Sequence, residues 1–180
     1  RLHSADALRF DFPSLTDGIA QLRVVGNLPY NISTPLIFKL LESAPVRQVM
    51  HFKLQLEVVE RLAAVPGNKN WGRLGIMAQY YCQVENLFEV PHEAFTPQPR
   101  VQSAIVRLTP WRQSPWAPCD EARLRQLVQA AFAQRRKTLR NNLKGFIDEG
   151  ELAYLGVDPG ARAETLQLDQ FIDITNAIHA

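Results

Sequence analysis

Asn27-Leu28-Pro29-Tyr30 is the stretch of this 180-residue sequence whose residue types most directly suit a reaction. It follows Leu22-Arg23-Val24-Val25, an apolar and β-branched run that stops at Gly26. At the carboxyl end of a parallel strand, side chains face the crevice where ligands of open α/β sheets bind. The four residues suit alkylation of an aromatic amine. Such a nitrogen is a poor nucleophile because its lone pair is delocalised into the ring. Two hydrogen-bond acceptors that hold its two hydrogens favour a pyramidal nitrogen with the lone pair available. The Asn27 amide oxygen and the Leu28 carbonyl are candidate acceptors. Pro29 fixes the backbone and has no N–H of its own, and Tyr30 offers a flat face to an extruded base. A turn after a strand, with Tyr30 packed on its flank, accounts for the same residues.

Three further stretches carry chemical potential. Phe95-Thr96-Pro97-Gln98-Pro99-Arg100-Val101 places two prolines one residue apart, a stiff extended loop with a Phe at its entrance. That ring can act as a stacking platform for a base, an interaction worth roughly 1–3 kcal/mol, or it can anchor the loop in the core. Residues 132–144 hold Arg135, Arg136, Lys137, Arg140 and Lys144, with no acidic residue between Glu121 and Asp148. On a helix, Arg136, Arg140 and Lys144 would share one face by i, i+4 spacing, with Lys137 beside them. A concentrated positive patch is the electrostatic footprint of phosphate binding; a solvated helix face is the plainer reading. Asp6-Ala7, after a possible strand end at His3-Ser4, could accept a hydrogen bond from an adenine amine or be an ordinary loop residue.

The elements that must position these residues read as alternating strands and helices. Thr34-Pro35 is expected to open a helix as N-cap and first-turn proline. Leu36, Ile37, Leu40, Leu41 and Ala44 continue it at helical spacing, and Pro45 closes it. Met50, Phe52 and Leu54 alternate as a strand, and a helix follows through Val58, Val59, Leu62 and Ala63, with the boundary near Leu54. Leu74 to Cys82 reads as helix, while Val84–Val90 and Ile105–Leu108 read as extended. Repeated βα units of this kind predict a mainly parallel sheet covered by helices. Pro110, Pro115 and Pro118 mark a linker, after which the pattern is helical. Leu124, Leu127, Val128, Ala131 and Phe132 form one apolar stripe and Leu139, Leu143 and Phe146 a second. Asp158-Pro159-Gly160 predicts a turn, and a last helix runs through Phe171, Ile174 and Ile178.

Composition bounds these readings. Apolar residues at 46% and charged residues at 21% are those of a globular chain, which excludes wholesale disorder. The net charge of +2 decides nothing about nucleic acid, so its distribution must. No apolar run is long enough for a membrane-spanning helix. Cys82 and Cys119 match no Cys-x-x-Cys pattern, and His3, His51, His92 and His179 are scattered; no metal site and no disulfide are expected, and a reducing, cytoplasmic setting fits. The chain opens at Arg1 without Met or an apolar leader, so it is expected to lack a signal peptide and to be a piece of a longer protein.

Taken together, these stretches resemble the rRNA adenine dimethyltransferase family over nearly the whole chain, and within it the bacterial enzymes of the small subunit. The resemblance lies in Asp6-Ala7, in Val25-Gly26-Asn27-Leu28-Pro29-Tyr30-Asn31-Ile32-Ser33-Thr34-Pro35-Leu36, and in Gln55 with Glu57-Val58-Val59. It continues through Trp71-Gly72-Arg73-Leu74, Phe95-Thr96-Pro97-x-Pro99 and Phe132-x-x-Arg135-Arg136-Lys137-x-x-x-Asn141. The order and spacing of the Asn-Leu-Pro-Tyr and Phe-x-Pro-x-Pro-x-Val motifs are highly specific. The fold implied is α/β: residues 1–110 as the later part of a Rossmann-like methyltransferase sheet, a linker at 111–119, and a small all-helical rRNA-docking domain at 120–180.

The activity implied is transfer of methyl groups from S-adenosylmethionine to the exocyclic amines of two adjacent adenines near the 3′ end of 16S rRNA, in ribosome biogenesis. The implied partner is the immature small subunit, met by a monomer with no membrane involved. By the resemblance, Asn27, Leu28 and Pro29 serve catalysis with Tyr30, and Tyr30 and Phe95 hold the base. Asp6, Ala7 and Asn27 meet the cofactor, and Arg135, Arg136 and Lys137 help dock on rRNA, with Arg140 and Lys144 extending that surface. Leu56, Gln102 and Trp71 stand where many relatives carry Lys, Asp and Tyr. The family's glycine-rich loop and its ribose-binding acid occur nowhere in these 180 residues, so the chain alone is expected to bind the cofactor weakly. A non-catalytic rRNA-binding module, or a methylase of large-subunit rRNA or DNA, are the competing readings. The intact Asn27–Tyr30 motif favours catalysis, and the basic segment favours small-subunit rRNA.

Overall fold

The structure, a computed structural model, describes residues 2–16, 22–42 and 47–178. Contacts divide the chain into two compact units: residues 1–63 with 81–113, and residues 64–80 with 114–180. The segment 64–80, assigned by sequence to the first domain, thus groups with the C-terminal helices.

The first unit is built on a four-stranded sheet in the order β1-β2-β4-β3, with β1 at Leu22–Asn27, β2 at Arg47–Gln55, β3 at Cys82–Val90 and β4 at Ser103–Pro110. β1 pairs with β2 in parallel, whereas β4 pairs antiparallel with both β2 and β3. The first three strands therefore share a direction and β4 runs against them from between two of them. This corrects the expectation of a mainly parallel sheet. A parallel return needs a crossover, usually a helix, and residues 91–102 between β3 and β4 form only the short 3-10 turn His92–Ala94 within a Pro-rich loop. α1 spans Ser33–Glu42 and begins one residue before the expected N-cap, with Pro35 still in its first turn, where a missing N–H costs nothing. Ala44 and Pro45 lie outside the described residues. α2 (Leu56–Leu62) follows β2 directly and packs on β2, β3 and β4.

One sheet face carries Met50, Phe52, Leu54, Ala104, Val106 and Leu108, all buried, as a two-residue repeat requires. The other face carries Arg23, Val25, His51, Glu85 and Arg107, which line an open depression of about 540 Å³; Val25 is 79% exposed there. Among the described residues, then, helices cover one face rather than both. On the open face Arg107 grips Glu85, its register partner on β3, with two hydrogen bonds of 2.7 and 2.8 Å. That grip lowers the Glu85 carboxyl below the ordinary glutamate range and raises the Arg107 guanidinium.

The second unit holds α3 (Arg73–Tyr81, all but its last residue), α4 (Glu121–Ala131), α5 (Leu139–Asn142), α6 (Glu149–Tyr154) and α7 (Leu168–Ala177). Its helix starts are sequence-encoded. Asp120 accepts from the N–H groups of Ala122 and Arg123, and Asp148 with Glu151 forms a reciprocal capping box. α4 packs on α7, bringing Phe132 to 6.0 Å from Phe171 between ring centres, over Leu124, Leu127, Leu139, Leu143 and Ile174. Phe146, placed by spacing on the second apolar stripe, is exposed, and Ile147 is buried instead. The Trp71 indole N–H donates to the Leu166 carbonyl at 2.9 Å, which ties residues 64–80 into this unit. Among the described residues no helix is long and apolar enough to cross a membrane.

Candidate functional site

Asn27 is the last residue of β1, opposite Lys53 of β2. The Leu28 N–H donates to the Lys53 carbonyl at 3.3 Å, one rung beyond the ladder. Leu28 turns its side chain into the core at 8% exposure while Asn27 and Pro29 face outward. Gly26 leaves room for this packing, because a Cβ there would stand 2.9 Å from the Leu28 side chain and 3.4 Å from Phe52. Among the described residues no hydrogen bond claims the Asn27 side-chain amide or the Leu28 carbonyl. Two neighbouring acceptors are therefore unspent at the end of a strand, which is what holding an –NH2 group requires.

Tyr30 is half-held. Its hydroxyl lies 3.3 Å from Oγ of Ser103, its carbonyl accepts the Ser33 hydroxyl at 3.1 Å, and the residue is 37% exposed. Ser103 is fully buried at the start of β4, directly after the Pro-rich loop that holds Phe95. Lys53 joins the two aromatic residues: its ammonium lies 4.4 Å from the Phe95 ring centre and 5.9 Å from that of Tyr30. Each such contact is worth about 0.5–1 kcal/mol where water has access. The Asn27–Tyr30 turn and the Phe95 loop, 65 residues apart at Tyr30 and Phe95, thus meet at Lys53 and Ser103. Sequence reasoning missed both. The signal for Lys53 was its place between buried Phe52 and Leu54, which puts a cation on the outward face of an otherwise apolar strand.

Asp6 lies in the N-terminal loop. Its Oδ1 accepts the Leu8 N–H at 2.9 Å and its Oδ2 is 3.7 Å from Arg9 Nε, while Ala7 is half-buried beside it. Lys39 of α1 donates to the Leu8 carbonyl at 2.8 Å and so fastens this loop to the helix.

The basic segment differs from its reading as one helix. α4 ends at Ala131; residues 132–138 are turns; the single-turn α5 follows, and a turn at Gly145 succeeds it. The stacking of Arg136, Arg140 and Lys144 by helical spacing is therefore absent. The Asn142 side chain donates to the carbonyls of Ala131 and Gln134, satisfying the end of α4. The N–H groups of Leu139 and Arg140 donate to the carbonyls of Ala161 and Pro159 in the Asp158-Pro159-Gly160 turn, which forms as expected. These distant partners satisfy the groups that a continued helix would use. Nor are the charges bare: Arg135 pairs with Glu164 at 3.5 Å and donates to the Lys69 carbonyl, and Arg140 lies 3.9 Å from Glu149. Arg136, Lys137 and Lys144 are exposed and carry no ion pair among the described residues.

A sheet of three strands in one direction, with one reversed strand between two of them, is the arrangement of a Rossmann-like methyltransferase unit. Solved structures agree. A dimethyladenosine transferase from Plasmodium falciparum superposes with a TM-score of 0.79 at 26% identity, over 96% of this chain and 70% of that one. The 23S rRNA methyltransferase ErmE, at 23% identity and a TM-score of 0.71 over 97% of this chain and 70% of its own, shares the fold. The chain belongs to the ribosomal RNA adenine dimethylase family, whose sequence model matches residues 1–180. It is 57% identical over 178 residues to a ribosomal RNA small subunit methyltransferase A of Saccharophagus degradans and 56% identical over 177 to that of Pseudomonas aeruginosa. These matches cover 99% and 98% of the chain but 66% of each relative, so the chain spans about two thirds of the length of the relatives it matches.

Proposed function

We propose that the protein containing this chain transfers methyl groups from S-adenosylmethionine to the exocyclic amines of two adjacent adenines near the 3′ end of small-subunit rRNA. The observation that carries this reading is the pair of unclaimed acceptors, the Asn27 amide and the Leu28 carbonyl. Held by both, the two N–H bonds of an adenine amine bend out of the ring plane and the nitrogen lone pair is freed from the ring. Such preorganised contacts act where charge develops and need no rearrangement during reaction. Tyr30 and Phe95 flank the base, and Pro29 keeps the turn rigid without adding a competing donor. The surplus proton of the amine leaves to water.

When bound, S-adenosylmethionine supplies a methyl group on a sulfonium sulfur, an electrophile with a neutral leaving group. The chain's own residues fit it in part. The Asp6 carboxylate is exposed and keeps acceptor capacity at Oδ2 for an adenine amine, with Ala7 and Asn27 as the other contacts of this reading. The glycine-rich loop and ribose-binding acid implied by the family are not among these 180 residues. Arg135, Arg136, Lys137, Arg140 and Lys144 form the rRNA-docking surface, Arg136, Lys137 and Lys144 being the cations without an ion pair. The protein works as a monomer in the cytoplasm on the immature small subunit.

The test is to incubate the intact protein with labelled S-adenosylmethionine and immature small subunits, then map dimethyladenine by mass spectrometry of rRNA fragments. Label in two adjacent adenines near the 3′ end is expected. Label in large-subunit rRNA, or none in either particle, would overturn the reading.

A further inference from the structure

Lys53 is the cation beside the Tyr30 and Phe95 rings, and nothing assigned to the reaction uses it. It alternates with Phe52 and Leu54 along β2, so its side chain leaves the sheet on the face opposite those buried residues. Its backbone is fixed by pairing with β1 and β4 and by the Leu28 N–H. Its ammonium lies within 6 Å of the ring centres of both Tyr30 and Phe95, and no carboxylate pairs with it among the described residues. The Tyr30 ring is better fixed than the cation. Tyr30 is hooked to buried Ser103, whereas the lysine stem has several freely rotating bonds. A base stacking on these rings takes the faces that the ammonium now occupies. The same nucleotide brings the counter-ion the ammonium lacks, its phosphate.

We propose that Lys53 is a displaceable placeholder of the base slot: its ammonium covers the Tyr30 and Phe95 faces until a nucleotide's base enters, and then pairs with that nucleotide's backbone phosphate. The inference rests on the reading of Tyr30 and Phe95 as base-holding residues. It deepens that reading by giving the slot its own phosphate contact, apart from the basic segment of the helical unit. A phosphate contact releases a condensed counter-ion, so it adds to the salt dependence of binding, whereas a cation that merely props two rings does not.

The experiment measures kcat and KM of the intact protein on immature small subunits at several monovalent salt concentrations and fixed magnesium. Lys53→Met keeps the stem and removes the charge. It is expected to raise KM about tenfold, the scale of a lost hydrogen bond to a charged group, with kcat within about twofold. The slope of log(1/KM) against log salt should flatten by about 0.7–0.9, one phosphate contact. Lys53→Arg should restore both KM and slope, and circular dichroism confirms folding. Unchanged KM and slope in Lys53→Met would overturn the proposal. So would a fall in kcat with the slope unchanged, which marks a prop for the rings. Tyr30→Ala and Phe95→Ala are assayed alongside. If they lose methylation while Lys53→Met behaves as wild type, only the role of Lys53 fails. If they too methylate normally, the base-slot reading fails with it.

Discussion

The loop that leaves β1 and the basic segment that leaves α4 are both rich in polar groups, and the fold treats them in opposite ways. At Asn27 and Leu28 the acceptors stay unclaimed although neighbouring groups are paired, the Leu28 N–H with Lys53 and the Ser33 hydroxyl with Tyr30. In residues 132–144 two of the five cations are taken by carboxylates, and the helix that would have aligned them is broken. The difference is one of reach. A backbone carbonyl and a short amide are claimed or spared by the immediate geometry of a turn. An arginine on a long stem finds any carboxylate that the fold brings near, and Glu164 is 29 residues from Arg135.

Asn27→Ala strikes the first region hardest. Removing one positioned acceptor should lower kcat on immature small subunits about 100-fold, the scale of a lost preorganised contact, with particle binding within about twofold. Turnover near wild type would mean that the unclaimed amide has no role and that the two regions do not differ as described. Phe95→Ala tests the slot beside it. Loss of stacking worth roughly 1–3 kcal/mol should weaken substrate binding between about five- and 150-fold, and Tyr30→Phe, which loses only the Ser103 partner, should do less.

In the second region, Arg135→Ala, Arg136→Ala and Lys137→Ala combined should flatten the log-affinity against log-salt slope by about 0.7–0.9 per phosphate contact. Because Arg135 is already shared with Glu164, the expected loss is that of two contacts rather than three. Glu164→Gln should release Arg135 and steepen the slope. A full three-contact loss, with no response to Glu164→Gln, would show that the pairing does not discount the patch. Circular dichroism guards against unfolding.

The smallest effect concerns an ion pair set by strand register rather than side-chain reach. Arg107 holds the Glu85 pKa below its ordinary value through hydrogen bonds, with burial opposing. The stabilisation is thus present above the ordinary glutamate value of about 4.3 and is lost as pH falls through the lowered folded-state value. Denaturant unfolding should find Glu85→Gln less stable than wild type at pH 7, with the gap closing as pH drops below 4. A gap that persists at pH 2 would locate the effect in packing. Arg107, raised further above its already high value, stays charged throughout this window.

Much of the fold was legible because it is locally encoded. The β-branched run before Gly26, the alternation of Met50, Phe52 and Leu54, the helical spacing from Leu124 to Ala131 and the Asp158-Pro159-Gly160 turn all appear where composition and period put them. The direction of β4 was not legible, because Ile105-Val106-Arg107-Leu108 reads the same whichever way the strand runs. Residues 64–80 look like one more link in the βα series, and only the Trp71 indole bond to Leu166 and similar contacts draw them to the second unit. Phe146 was misplaced because helical spacing was assumed across a segment that Gly145 interrupts at φ 94°.

At the candidate site, Asn27-Leu28-Pro29-Tyr30 and Phe95-Thr96-Pro97 stand out in the sequence because each carries its turn chemistry within a few residues. The tertiary structure alone decided that Ser103 hooks Tyr30, that Lys53 stands at both rings, and that Glu164 and Glu149 reach the arginines. Backbone conformation answers to nearest neighbours, so it is written locally. Pairing of charges and rings depends on distances through space, which are set only once β1, β2 and β4 lie side by side and the helices of the second unit close on one another.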